Sequence, residues 1–198
     1  MKTVQPIRSL SQIKQIEKIL KSQSTRDYML FRLGINSGLR ISDILSLKAK
    51  DLRNQDYFNL KEQKTGKTQR IKIQPTLKKE LNQYLQNLKD DEYLFQSQKG
   101  INQPIQRMQA WRILNDVAKK VGINEEIGTH SLRKTFGYHM YLHANKDVTI
   151  VQKFLNHSSP SVTLRYIGIT QDNMDDLIDS FSFDFDEKPK SKRNKMVV

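Results

Sequence analysis

The side chains best suited to chemistry lie in one stretch near the carboxyl end, which holds all four histidines of the chain. His130 and Arg133 are three residues apart, so on a helix they share one face. Arginine offers planar paired donors to a phosphate, and histidine moves a proton near neutral pH. His157 follows, and Tyr166 adds a hydroxyl that can attack phosphorus once its proton is removed. Together with Arg40, which comes just after a glycine turn, these residues predict a site for phosphate chemistry.

The composition favours one well-buried domain with an anionic partner. The 198 residues carry a formal charge of +13, which suits nucleic acid or an acidic surface. No apolar run approaches the roughly 18 residues of a membrane-spanning helix, and the amino terminus has no apolar signal-peptide core. The chain has no cysteine, which excludes disulfides and thiolate metal sites. We therefore expect a cytoplasmic, nucleoid-associated protein without a membrane partner.

Hydrophobic periodicity predicts an α+β fold that is mainly α-helical. Apolar residues at helical spacing predict helices over 9–21, 25–37, 43–47, 75–88, 106–121, 130–143, 149–155, 161–166 and 173–181. Alternating residues predict strands over 57–60 and 69–73, and an apolar run predicts a short buried strand over 93–95. The segment 64–67 has turn chemistry, so the first two strands form an antiparallel hairpin with lysines at its tip. From Ser182 onward the composition predicts a disordered charged tail.

Five peptides in chain order, which carry six candidate residues, resemble the catalytic domain of the tyrosine recombinases, the phage integrase family. The resembling peptides are Ser37-Gly-Leu-Arg40-Ile-Ser-Asp43, Lys64-Thr-Gly-Lys67, Thr129-His-Ser-Leu-Arg133-Lys-Thr135, Leu155-Asn-His157-Ser-Ser and Thr163-Leu-Arg-Tyr166. The resemblance extends from about residue 9 to residue 181. It implies a catalytic domain over 1–181, the short form of the family without the amino-terminal clamping domain.

The resemblance implies a role for each reacting group. Tyr166 would attack a DNA phosphodiester and form a 3′-phosphotyrosine. Arg40 and Arg133 would hold the non-bridging oxygens, and His157 would donate a further hydrogen bond to them.

The remaining implied roles concern proton transfer and support. His130 would assist proton transfer at the tyrosine, and Lys64 would protonate the leaving 5′ oxygen. Asp43 would orient the arginine or histidine network from behind.

Some positions have a second interpretation. Lys61 and Lys67 compete with Lys64 for the role of general acid, and Lys64 matches the family's turn. His139 and His143 are four residues apart, but no third ligand accompanies them, so no metal or cofactor is expected. The remaining basic residues, among them Lys48, Lys50, Lys67, Arg107, Lys134 and Arg165, are expected to meet phosphates.

The function implied is site-specific recombination of double-stranded DNA, with integration, excision or inversion as the outcome. The resemblance also implies a homo-oligomer, a tetramer on paired sites, with the helix over 173–181 docking onto an adjacent subunit and accessory DNA-bending proteins assisting. Two alternatives stay open: an inactive DNA-binding relative that acts as a regulator, and a type IB topoisomerase-like enzyme.

Overall fold

The computed structural model describes residues 4–169 and Phe181. Within this part of the chain the elements follow in the order α1 (Leu10–Gln23), α2 (Thr25–Ser37), α3 (Ile41–Leu45), α4 (Ala49–Leu52), β1 (Tyr57–Lys61), β2 (Thr68–Lys72), α5 (Pro75–Leu85), α6 (Arg107–Lys120), α7 (Thr129–His143), α8 (Val148–Leu155) and α9 (Pro160–Ile167). The predicted fold class is confirmed. The predicted helix over 173–181, apart from Phe181, and the tail after it lie outside the described residues. No helix among those described is both long enough and apolar enough to span a bilayer.

Serine caps set the start of the first two helices. The Ser9 hydroxyl accepts from the Gln12 amide at 3.3 Å, and the Ser24 hydroxyl accepts from the Asp27 amide at 3.2 Å. Each contact satisfies an amide that would otherwise have no partner in the first helical turn. At the other end of α2, Gly38 takes a left-handed conformation with φ of 66°. The chain therefore stops and turns where the sequence predicts, two residues before Arg40.

The two strands form the predicted antiparallel hairpin. Tyr57 pairs with Lys72, and the register continues to Lys61 opposite Thr68. Phe58 and Leu60 point into the core at 5% and 9% exposure, because alternate residues of a strand face the same side. One face of the hairpin thus packs against the helical body.

The core has two parts, and α7 contributes to both. The larger cluster joins α1 to α6 and the hairpin and includes Leu132. A smaller cluster, which we call the carboxyl cluster, contains Phe136, Val151, Leu155 and Ile167 from α7, α8 and α9. Gly137 allows this second packing, because a Cβ there would lie only 2.8 Å from Ile167 Cγ2. Helix α7 is therefore buried on two sides.

Three local predictions differ from the structure. Residues 93–95 form no strand: Tyr93 makes an isolated bridge to Lys48, although Leu94 and Phe95 are fully buried as expected. The short helix predicted over 43–47 occupies Ile41–Leu45, because the extended backbone of Arg40 starts it two residues earlier. The helix predicted over 106–121 occupies Arg107–Lys120, and its one tryptophan, Trp111, is 43% exposed instead of buried.

Candidate active site

Arg40 lies in the turn between α2 and α3. The turn is held against α7, since a Cβ at Gly38 would sit 2.5 Å from a ring carbon of Phe136. The Arg40 guanidinium forms an ion pair with the Glu62 carboxylate, with Nη1 2.8 Å from Oε2. Its side chain is 16% exposed, so the guanidinium is anchored inside and still reaches the surface.

Glu62 is a site residue that the sequence analysis missed. Its side chain is 1% exposed and accepts from the Thr65 hydroxyl at 2.5 Å and from the Asn156 amide at 3.5 Å. Burial favours a raised pKa, but the hydrogen bonds from Thr65 and Arg40, with the charge of Arg133, outweigh it and lower the pKa of Glu62. The carboxylate is therefore ionised at neutral pH. The alternation through Phe58 and Leu60 was the available signal, since it places residue 62 on the buried face.

Arg133 is buried in the first turns of α7, at 2% exposure. Its Nη1 donates to the Gly38 carbonyl and its Nη2 to the Leu155 carbonyl. One guanidinium therefore closes the carboxyl ends of both α2 and α8, where carbonyls lack helical partners. Burial lowers the pKa of Arg133, and the neighbouring Arg40 lowers it further, while the Tyr166 hydroxyl and Glu62 oppose this shift.

Tyr166 projects from α9 toward the two arginines. Its hydroxyl lies beside Arg133, and no described atom meets full hydrogen-bond geometry with it. Burial raises the pKa of Tyr166, and the positive charges of Arg133 and Arg40 partly offset that rise. The phenol is thus protonated at neutral pH and needs a base before it can act as a nucleophile.

His157 stands edge-on to Tyr166, with ring centroids 4.9 Å apart and planes at 75°. Its Nδ1 lies 3.2 Å from the Thr163 hydroxyl, which itself donates to the Ser159 carbonyl. The hydroxyl has one proton, so Nδ1–H donates to Thr163, and in the neutral ring Nε2 is an acceptor. Burial and the charges of Arg133 and Arg40 lower the pKa of His157 to about 4.

His130 and Lys64 lie at the open side of the site. His130 shares the first turns of α7 with Arg133, as its spacing predicts, but it is exposed. Desolvation lowers the pKa of His130, and so do the charges of Arg107, Arg133, Lys134 and Lys64. Lys64 is exposed at the hairpin tip. Because its charge acts on His130, the tip faces the start of α7.

The three lysines at or near the hairpin tip differ in their contacts. Lys67 donates to the Asn156 side chain at 3.4 Å. Lys61 and Lys64 are exposed and form no ion pair with the described residues. A free ammonium at the tip fits Lys64 better than Lys67 as the general acid.

Asp43 is buried behind the site at 1% exposure. Its Oδ1 accepts from the Gln63 backbone amide at 3.0 Å, one residue before Lys64. The hydrogen bond goes to the hairpin and not to an arginine or histidine. This contact fixes the hairpin next to its tip. The predicted role of Asp43 in orienting the arginine or histidine side chains stays a prediction.

Lys134 does not lie where the sequence analysis expected. It was expected to meet phosphates at the surface, but it is 5% exposed, and its Nζ lies 5.1 Å from the centre of the Tyr166 ring. The reason is the double packing of α7, which leaves this position facing α9. Lys134 is therefore, after Glu62, the second residue of the site whose position the sequence did not indicate.

The histidine pair of α7 forms no metal site. His139 Nε2 lies 3.0 Å from the Ile7 carbonyl, and His143 belongs to the last turn of the helix. Among the described residues, no three side chains of the metal-binding types are grouped closely enough to hold an ion.

Four of the residues predicted from the sequence thus meet in one cationic site. Arg40, Arg133, His157 and Tyr166 influence one another electrostatically, with His130 and Lys64 at the rim. A model of the phage integrase family matches residues 9–173. The chain belongs to the phage integrase family.

Relatives of this integrase-family chain carry recombinase names. The probable integrase/recombinase YoeC of Bacillus subtilis (strain 168) is 52% identical over 172 residues, covering 87% of this chain and 93% of YoeC. Tyrosine recombinase XerA of Pyrococcus furiosus is 29% identical over 171 residues, covering 85% of this chain and 59% of XerA. The chain therefore spans less than two thirds of the length of that relative. Its predicted class, a tyrosine-type site-specific recombinase, is confirmed.

The integrase also shares its fold with a solved recombinase. The crystal structure of the XerH site-specific recombinase bound to palindromic difH substrate, a post-cleavage complex, matches with a TM-score of 0.70 at 19% identity. The match covers 89% of this chain and 53% of that chain. The likeness shows a common fold, whereas the roles of the individual side chains stay predictions.

The low pKa of His157 makes the stability of this integrase depend on pH. Its pKa is about 4 in the folded chain against an ordinary value of 6.5, so between these limits the unfolded chain binds a proton that the native chain does not. Unfolding free energy therefore falls as pH drops from 7 to 5, by about 1 to 2 kcal/mol from this group. We expect His157→Gln to flatten that decline in a series of chemical denaturations at pH 5, 6 and 7.

The control for this pH effect is His143→Gln at the end of α7. It removes an exposed histidine and should leave the slope of stability against pH unchanged. Equal slopes in wild type and His157→Gln would contradict the proposed effect of burial on His157.

Proposed function

We propose that this chain cuts and rejoins DNA strands at specific sites through a covalent 3′-phosphotyrosine at Tyr166. The observation that carries the proposal is the placement of the Tyr166 hydroxyl beside Arg133, within the field of Arg40. The Tyr166 oxygen forms a bond to phosphorus, and the bond from phosphorus to the 5′ oxygen breaks. The new ester retains the energy of the old bond, so a second 5′-hydroxyl can reverse the step without ATP.

The two arginines supply the positive charge that the reaction requires. Both guanidiniums are fixed before substrate binds, Arg40 by Glu62 and Arg133 by two carbonyls. Fixed donors stabilise the charge that develops on the non-bridging oxygens without reorganising during the reaction.

Proton transfer at the tyrosine is assigned to His130. Its lowered pKa keeps the imidazole neutral near pH 7, which is the form that accepts a proton. His157 would meet the phosphate through Nε2. Because Nδ1–H already serves Thr163, donation from Nε2 needs a second proton, and the negative charge of a bound phosphate favours that protonation.

Lys64 is proposed as the general acid that protonates the leaving 5′ oxygen. Lys64→Ala should lower the cleavage rate at least about 100-fold, the lower end for general acid catalysis. A substrate with sulfur at the 5′ bridging position should restore the rate, because a thiolate leaves without protonation. Cleavage of both substrates is measured in single-turnover reactions.

The matched controls are Lys61→Ala and Lys67→Ala in the same hairpin. In neither variant should the substrate with a 5′ bridging sulfur restore a cleavage rate that is lost on the ordinary substrate. Rescue of Lys61→Ala or Lys67→Ala in place of Lys64→Ala would move the role of general acid to that residue.

DNA is the proposed partner, and the net charge of +13 supports it. The structurally similar XerH was crystallised on its DNA substrate. We further propose that the chain works as a homo-oligomer, a tetramer on paired sites, with residues 1–181 as the catalytic domain and accessory DNA-bending proteins where the reaction needs direction.

The experiment that tests the function begins in cells that express the chain. DNA attached covalently to the protein is recovered and sequenced, and the shared site is rebuilt as a duplex with a nick just beyond the cleavage point. Cleavage releases the short fragment between the cleavage point and the nick, and this fragment carries the 5′-hydroxyl that rejoining requires. A covalent adduct should therefore accumulate, and its peptide should map to Tyr166. Absence of any adduct would favour the inactive DNA-binding alternative. Relaxation of plasmids that lack the site would favour the topoisomerase-like alternative.

A further inference from the structure

A buried carboxylate stands inside a site that is otherwise cationic. Glu62 is 1% exposed, and its Oε2 is 2.8 Å from Arg40 Nη1. Its second oxygen, Oε1, is buried without a hydrogen-bond partner among the described atoms. Buried charges of this kind are costly unless they are paired. A negative group next to a phosphate-binding arginine also opposes the ligand, so its presence calls for a compensating gain.

The contacts of Glu62 join three segments that carry proposed reacting groups. Its Oε2 meets Arg40 of the turn after α2, the Thr65 hydroxyl of the hairpin tip and the Asn156 amide at the end of α8. Lys64 precedes Thr65, and His157 follows Asn156. One carboxylate oxygen therefore contacts all three segments: the turn that holds Arg40, the hairpin tip that holds Lys64 and the turn that holds His157.

We propose that Glu62 is a positioning residue for the strand-cleavage reaction, which holds the Arg40 guanidinium and fixes the Lys64 hairpin against the His157 turn. The inference rests on the proposed function of the site. Glu62 acts through Arg40 and does not touch the reacting atoms. It uses one edge of the guanidinium, which leaves the other N–H groups of the fork for the phosphate.

Glu62→Gln tests this role because glutamine keeps the shape but loses the charge. Its oxygen can still accept from Thr65, but without the negative charge the ion pair that holds Arg40 is lost. We expect the cleavage rate to fall by about 10- to 100-fold, less than the roughly 100- to 1,000-fold for loss of a preorganised donor itself, because Arg40 remains present. DNA affinity should stay equal or become a few-fold tighter, since a charge that repels phosphate is gone. Loss of rate with unchanged or tighter binding separates positioning from a general structural defect.

A double mutant tests whether Glu62 acts through the arginine. In an Arg40→Ala background, Glu62→Gln should change the cleavage rate by less than about threefold, because coupled residues are not additive. The matched control is Glu80→Gln, which removes one of the two carboxylates that pair with Arg32, 3.0 Å from its Nε and away from the site. Its cleavage rate should equal that of wild type.

A measurement without DNA keeps the inference separate from the proposed function. The side-chain Nε–H signal of Arg40 is assigned by its loss in Arg40→Lys and followed by ¹⁵N NMR. It should be sharp in wild type and broadened in Glu62→Gln. An unchanged signal, or an unchanged cleavage rate in an otherwise active enzyme, would overturn the role of Glu62. Absence of any wild-type adduct would instead refute the proposed function, and the NMR result would still decide whether Glu62 positions Arg40.

Discussion

Tyr166→Phe should abolish the covalent protein–DNA adduct while leaving DNA binding within about twofold of wild type. The change removes only the hydroxyl that would form the bond to phosphorus, so no covalent intermediate can form. The ring keeps its edge-on contact with His157 and its place above the Lys134 ammonium. The buried hydroxyl makes no hydrogen bond with a described atom, so the variant should fold as stably as wild type. Adduct formation is measured on the nicked substrate by denaturing gel.

Tyr141→Phe provides the control for that experiment. Tyr141 also packs, partly buried, against the carboxyl cluster, but it lies on α7 away from the two arginines. It should form adduct at the wild-type rate. An adduct that persists in Tyr166→Phe would transfer the nucleophile to another residue and remove the basis of the mechanism.

Arg133→Lys should lower the cleavage rate by about 100- to 1,000-fold. A preorganised donor to a developing oxyanion contributes roughly 3 to 4 kcal/mol. Lysine keeps the charge, but its compact ammonium cannot bond the Gly38 and Leu155 carbonyls and also hold a phosphate. The melting temperature should also fall, because a buried ammonium costs more to desolvate than a guanidinium and cannot satisfy both carbonyls. Single-turnover cleavage and thermal unfolding are measured on the same samples.

A matched arginine elsewhere in the chain separates catalysis from helix capping. Arg53 donates to the Leu85 and Leu88 carbonyls after α5, in the same manner as Arg133 but outside the site. Arg53→Lys should therefore lose stability and keep its cleavage rate. If both variants lost activity in proportion to their stability, Arg133 would be a structural residue only.

Local sequence signals were sufficient for most of the fold and for the reacting groups. The serine caps, Gly38 and the alternation of the hairpin act within a few residues, so they identify elements without knowledge of the tertiary structure. The ordered motifs indicated Arg40, Arg133, His157 and Tyr166, which the fold brings together.

The remaining features depend on tertiary packing that one sequence does not specify. Lys134 is buried because α7 packs on both sides, whereas its type predicts a surface position. Residues 93–95 have the apolar character of a strand, but only Tyr93 finds a bridging partner. The alternation with Leu60 predicts burial of Glu62. The partner that stabilises its buried charge, Arg40, is 22 residues away in the sequence, and no local pattern indicates it.

The division of the core has a consequence for how the site can open. Tyr166 lies on α9 and His157 in the turn between α8 and α9. These elements are held by the small carboxyl cluster and by the contacts of Arg133 and Glu62 with residues 155 and 156, while Arg40 lies beside the larger cluster. A small cooperative unit opens at a lower free energy than the whole domain. Opening of this unit alone would move Tyr166 away from Arg40 while the larger cluster stayed folded.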